Sequence, residues 1–155
     1  SALCYNSCKY MQMNVDLKAY TEFVSAVTSE PSQNLTTFMN RLDHLDGNLL
    51  SDGTHGPDIN VCRLLTAGIG LSSETGEFNE IIKKIFFQGK ELSVDNVFHM
   101  KRELGDIMWY WAQACIALNL DPNEVIAENV HKLQSRYPGG KFDVFHSENR
   151  VAGDL

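Results

Sequence analysis

Two long stretches of apolar residues at helical spacing, joined by one short break, constrain this chain more than any other feature. From Val61 to Gln88 the apolar positions follow a 3.6-residue period. Gln88-Gly89-Lys90 stops that pattern, and Ser93 is placed to cap a second helix over about 94–119, with Asp95 in its first turn. Helices joined by so short a connection fold back on one another, so an antiparallel hairpin is expected.

Acidic residues lie on the apolar side of both helices. Glu74 and Glu77 are three positions apart and so diverge by about 60° around the axis. Ile81 falls between them, with Phe78 and Ile85 close by, whereas Glu80 points further away and reads as ordinary surface. On the second helix Glu103 and Asp106 share a face with Ile107, Tyr110, Ala114 and Ala117. The first pair sits ~19 Å before the turn and the second ~17 Å after it, at 1.5 Å per residue. The hairpin therefore brings four carboxylates to one level. A single Glu-x-x-Glu is common on solvated helices, but two such pairs on apolar faces at matched distance are not. Carboxylates gathered there repel and lose water, and must take up protons or bind cations. A hard, oxygen-seeking ion such as Mg²⁺ or Mn²⁺ meets that need.

The rest of the chain also reads as helix. Residues 14–28 form an amphipathic stretch broken at Ser29-Glu30-Pro31-Ser32, and residues 34–45 a shorter one. Asp46 to Asn60 is rich in Gly, Asp, Ser and Pro and reads as a loop. Asp121-Pro122-Asn123-Glu124 opens a further helix that ends at Tyr137-Pro138-Gly139-Gly140. On it Asn129, Lys132 and Arg136 present an amide and two cations on roughly one face, suited to phosphate; Lys83 and Lys84 lie within reach of the same kind of ligand. No segment alternates with period two. The expected class is all-α: a bundle of about four to five helices, with an N-terminal extension (1–13), a helical domain (14–140) and a polar C-terminal arm (141–155).

A net charge of −7 argues against a protein that coats nucleic acid. No apolar run reaches membrane-spanning length, and the first residues show no charged segment leading into an apolar one, so neither a membrane span nor a signal peptide is read. Of the four cysteines, Cys4 and Cys8 have no second close pair to complete a zinc site. Cys62 and Cys115 fall in apolar-periodic stretches and read as buried thiols of a reducing cytoplasm. His44, His55, His99 and His146 read as surface or satisfied residues.

These motifs resemble the MazG family of all-α nucleoside triphosphate pyrophosphohydrolases. The family pattern E-x-x-E, spacer, E-x-x-D is Glu74-Thr75-Gly76-Glu77 followed by Glu103-Leu104-Gly105-Asp106. Leu71-Ser72-Ser73, Lys83-Lys84, Gly89-Lys90, Ile107-Met108-Trp109-Tyr110, Asn129-Val130-His131-Lys132-Leu133 and Arg136-Tyr137-Pro138 extend the match. The likeness covers about 61–150 and is greatest to short, phage-type members, whose ends resemble Lys141-Phe142…Asn149-Arg150. It implies cleavage of an NTP or dNTP between the α- and β-phosphates, giving the monophosphate and pyrophosphate. Glu74, Glu77, Glu103 and Asp106 are then the catalytic metal ligands for Mg²⁺, with Mn²⁺ able to substitute, and Glu77 or Glu74 orients the water. Asn129, Lys132, Lys83 and Arg136 hold the phosphates, and Tyr110 contacts sugar or base. Many members carry an acid directly before the first motif glutamate, where this chain has Ser73. One firmly held ion, joined by a second with the substrate, is therefore expected.

The resemblance also implies a homodimer or homotetramer with sites completed between subunits. The apolar run Ile107–Ala112 agrees, because one hairpin and two further helices cannot cover it on all sides. The implied location is the cytoplasm, the host's if the chain is phage-encoded. Two other readings compete. Glu128-Asn129-Val130-His131 has the Glu-x-x-His spacing of a di-iron carboxylate bundle, but such a site needs that motif twice. A non-enzymatic helical oligomerisation or regulatory module that merely binds cations is the other.

Overall fold

The computed structural model of the chain describes residues 16–154. They form six α-helices: α1 (Leu17–Val27), α2 (Leu35–Gly47), α3 (Val61–Phe87), α4 (Val94–Ala117), α5 (Pro122–Arg136) and α6 (Val144–Glu148). The all-α expectation holds, with one helix more than the four to five expected, and no strand occurs among the described residues. Cys4, Cys8 and the extension 1–13 lie outside the described residues.

Two compact units divide between Arg41 and Leu42. In the first, Asp16 caps α1 by accepting from the Ala19 amide at 3.1 Å. Thr28 ends the helix, its hydroxyl donating to the Val24 carbonyl at 2.6 Å. A short 3-10 turn at Glu30–Ser32 occupies the expected proline break. Asn34 then starts α2 by accepting from the Thr37 amide at 2.9 Å.

The second unit is built on the α3–α4 hairpin, the one closely packed pair among the described helices. Ser93 caps α4 as expected, and Asn60 caps α3. Asn60 accepts from the Arg63 amide at 3.0 Å, and Ser93 accepts from the Asn96 amide at 3.2 Å. Gly89 turns the connection with φ +70°, a conformation that costs glycine little. At the open end the Asn60 N–H donates to the Ala117 carbonyl at 2.9 Å, and Arg63 Nη1 donates to Gln113 Oε1 at 2.7 Å. Gly70 then meets Tyr110, and Glu74 meets Glu103 and Asp106. Each advance along α3 is matched by a retreat along α4, which is antiparallel register.

Small residues make that register possible. Ala67, Gly70, Cys115 and Ala117 are buried, and no large side chain is completely buried among the described residues. Interaxial distance depends on the side chains at the contact, so such residues let helices approach closely. Cys115 is the buried thiol expected, whereas Cys62 is exposed, which corrects the expectation for it. Periodicity placed Cys62 on an apolar stretch, but in the first turn of α3 it is Asn60 and Arg63, on either side of it, that reach α4, and Cys62 itself is left exposed.

α4 ends in a Schellman motif. Asn119 adopts φ +53°, its N–H donates to the Ile116 carbonyl and the Leu120 N–H to the Cys115 carbonyl. Asp121 accepts from the Asn123 amide at 2.8 Å and opens α5 as expected. The loop between α2 and α3 folds on itself through an antiparallel bridge between Leu49 and His55. The stretch after Pro138 is more ordered than a polar arm. It forms α6 and then returns to α5, where Asp154 is buried against Arg136. No described helix is long and apolar enough to cross a membrane.

A Cβ on Gly70 would overlap the Tyr110 ring. Gly70→Ala is expected to cost about 1–3 kcal/mol through overpacking, lowering Tm by roughly 3–10 °C. Thermal denaturation followed by circular dichroism measures this; an unchanged Tm would show that the seam is loose.

Candidate metal centre

The hairpin register decides which acids meet. Glu74 from α3 and Glu103 and Asp106 from α4 each offer a carboxylate oxygen, and these oxygens lie within 4.8 Å of one another. Glu74 and Glu103 are half-buried and Asp106 is exposed, so the cluster sits at the lip of the seam. Glu77, the fourth predicted ligand, is exposed and stands outside this group, although its charge acts on Glu74. Loss of surrounding water holds the Glu74 carboxyl above its ordinary value. The charges of Glu77, Asp106 and Glu103, with a hydrogen bond to Glu103, push in the same direction.

Glu103 Oε2 supplies a test of whether a cation fits. It is buried and has no hydrogen-bond partner. Such an oxygen costs free energy unless something compensates it. An all-carboxylate donor set with an unpartnered oxygen turned inward suits a hard divalent cation. Among the described residues, this is the one group of acidic, histidine or cysteine side chains arranged to hold a metal. Among the described residues, Glu128 and His131 on α5 are joined by no third such ligand, so these residues lend the di-iron reading no support.

The predicted phosphate and sugar contacts are dispersed. Tyr110 lies over Gly70 and meets Trp109 edge to face, with ring centroids 4.9 Å apart. Lys83 Nζ is 2.6 Å from one oxygen of Glu80 and Lys84 Nζ 3.4 Å from the other. Glu80, read as plain surface, thus engages both lysines. Asn129 and Lys132 line a cleft along α5, and Lys132 makes no ion pair among the described residues. Arg136 is engaged by Asp154, the residue that sequence reasoning missed. No local pattern marks Asp154, because its partner is 18 positions away.

A family model described as the MazG nucleotide pyrophosphohydrolase domain matches residues 64–140. Residues 64–140 belong to the MazG family. The matched span runs from the first turn of α3 past the end of α5 and contains the whole acidic cluster. The family so matched is one of metal-dependent nucleotide pyrophosphohydrolases. The chain is also similar to the Gene 37 protein of Mycobacterium phage L5, at 38% identity over 74 residues. That alignment covers 46% of this chain and 64% of the phage protein, a phage-type relative. No solved structure matches the chain.

The raised Glu74 carboxyl gives the MazG domain a definite pH dependence. The folded chain holds this proton more tightly than the unfolded chain. Ionising Glu74 therefore costs stability; the cost is absent below its ordinary value and complete above the raised one. With chelator present, Glu74→Gln is expected to melt higher than wild type at pH 8, and the difference should shrink towards pH 4. Mg²⁺ should raise the wild-type Tm at pH 8 and leave the variant nearly unchanged. Equal gains in both proteins would exclude Glu74 from cation binding.

Proposed function

We propose that the chain hydrolyses nucleoside triphosphates, deoxynucleotides above all, between the α- and β-phosphates, releasing the monophosphate and pyrophosphate. The observation that carries this reading is the buried, unpartnered Glu103 oxygen within a carboxylate triad inside a MazG domain. In this reading Glu74, Glu103 and Asp106 hold Mg²⁺, and Mn²⁺ can replace it. When bound, the cation supplies positive charge for the phosphate oxygens as the anhydride breaks.

The remaining steps belong to side chains. Glu77, which is exposed and outside the triad, orients a water in this reading and accepts its proton. The water oxygen bonds to one of the two phosphorus atoms flanking the α–β bridging oxygen, the bond from that phosphorus to the bridging oxygen breaks, and the other phosphate group departs with the electron pair, so that either route yields the monophosphate and pyrophosphate. Lys132 and Asn129 bind phosphate oxygens, the first as a charge and the second through its amide. Lys83 is a reserve cation that must leave Glu80 to reach the substrate. Tyr110 faces sugar or base in this scheme. The setting is the cytoplasm, that of the host for a phage-encoded chain.

A homodimer or homotetramer is part of the proposal. Leu104, Met108, Trp109 and Ile116 on α4 are each half or more exposed. α5 has no packing against the hairpin comparable to that between α3 and α4. A second copy can cover the apolar α4 surface and complete the site with its own phosphate-binding face. Burying these side chains contributes roughly 25 cal/mol per Å² of apolar surface towards association. Sedimentation velocity at micromolar concentration is expected to give a dimer or tetramer; a monomeric species with full activity would overturn the shared-site arrangement.

The central experiment offers every common dNTP and NTP with Mg²⁺ or Mn²⁺ and scores pyrophosphate and orthophosphate separately. Pyrophosphate with monophosphate is the expected result. Glu77→Gln and Asp106→Asn should keep the fold and lower turnover by about 10²-fold or more. Orthophosphate with diphosphate would refute the cleavage position. The absence of turnover with every nucleotide would favour the cation-binding module instead.

A further inference from the structure

The buried ion pair between Arg136 and Asp154 has no role in the scheme above. Arg136 Nε donates to Asp154 Oδ2 and Nη2 to Oδ1, both at 2.6 Å. The Asp154 side chain is 3% exposed and that of Arg136 14%, and Asp154 is the one buried charged residue among those described. Two parallel bonds with matched planar geometry make the strongest form of this pairing. The arginine holds the Asp154 carboxyl below its ordinary range, with the charges of Arg150 and Lys132 adding to the effect.

The pair docks a short segment rather than a helix. Gly153 has φ +92° and the Asp154 N–H donates to the Val151 carbonyl at 3.1 Å, so the chain curls as it reaches α5. Between this segment and α5 lies a cleft of about 570 Å³, within the usual range for small-molecule sites. Asn129, Lys132 and Glu128 line it from α5; Val151, Ala152 and Gly153 line it from the segment. A helix surface alone is convex, so the concavity exists because the segment is docked. Asp154 spends its charge on Arg136, while Lys132 and Arg150 have no ion-pair partners among the described residues. Arg150 does not line the cleft; of the charged residues that do, Asp154 is taken up by Arg136, which leaves the Lys132 ammonium open to an anion beside Glu128.

We propose that Asp154 is a positioning residue for nucleotide binding: through Arg136 it fixes residues 151–154 as the second wall of the cleft in which Lys132 and Asn129 receive the phosphates. This rests on the nucleotide reading given above. Arg136 then acts through the docked segment and not on a phosphate.

The test measures Kd by calorimetry for the non-hydrolysable α,β-imido analogues of the dNTPs and NTPs, using the full chain with Mg²⁺. Asp154→Asn is expected to weaken binding on the order of ten-fold, because only the fraction of molecules with a docked segment can bind well. Mn²⁺ affinity at the carboxylate triad should not change. The exchanged pair Arg136→Asp with Asp154→Arg should recover most of the loss. In the wild type, nucleotide should slow amide hydrogen exchange across 151–154, a readout that requires no variant to fold. An unchanged or tighter Kd in Asp154→Asn, or exchange in 151–154 that ignores nucleotide, overturns the proposal. A folded exchanged pair that recovers nothing also overturns it, since Arg136 would then contact phosphate itself. Wild type that releases pyrophosphate while Asp154→Asn binds normally sinks only this inference. Wild type that binds analogues through the docked segment but releases no pyrophosphate sinks only the proposed activity.

Discussion

The second unit depends on how closely α3 and α4 can approach. Gly70 on one helix meets the Tyr110 ring on the other, and Ala67, Cys115 and Ala117 are buried along the pair. Larger side chains in that seam would hold the axes apart, and the carboxylates one turn beyond would no longer share a level. The seam contributes little hydrophobic burial of its own, since small residues bury little area. Its contribution is geometric. It sets the register in which Glu74 stands opposite Glu103 and Asp106.

That register works against the stability of the chain by itself. Like charges are drawn together where water is partly excluded, one carboxylate oxygen is left without a partner, and Glu74 retains its proton more readily than a free glutamate. Proteins tolerate such conflicts at sites where a ligand resolves them. The contrast with Asp154 is instructive. It is more deeply buried than any acid of the triad, yet a bidentate arginine satisfies it within the chain. The same chemical group is at ease in one place and under strain in the other, and the difference lies in what faces it.

The sequence revealed most where the controlling interactions are local. Ser93 and Asp121, the two caps read from the sequence, accept from amides three and two positions ahead and begin their helices as capping chemistry requires. The matching levels of the two acid pairs followed from rise per residue alone. Period arithmetic gives an angle around a helix but not the width of the covered strip. For that reason Cys62 was wrongly read as buried, and nothing separated Glu77 from its three companions. It also missed that Glu80 ties down Lys83 and Lys84, a choice made by side-chain rotamers. The pairing of Arg136 with Asp154 was beyond reach because chain reversal around Pro138 and Gly140 determines it, and no periodic pattern spans that interval.

The brevity of the Gln88–Ser93 connection also bears on the order of assembly. Closing a short loop costs little chain entropy, and contacts between neighbouring helices form quickly. The complete triad lies on these two helices, so its oxygens converge as soon as the hairpin zips up. The face of α5 follows later in synthesis, and its docked segment later still. An emerging chain therefore has its acidic cluster before the Asn129 and Lys132 face of α5, and a cation arriving at that stage would act on the hairpin alone.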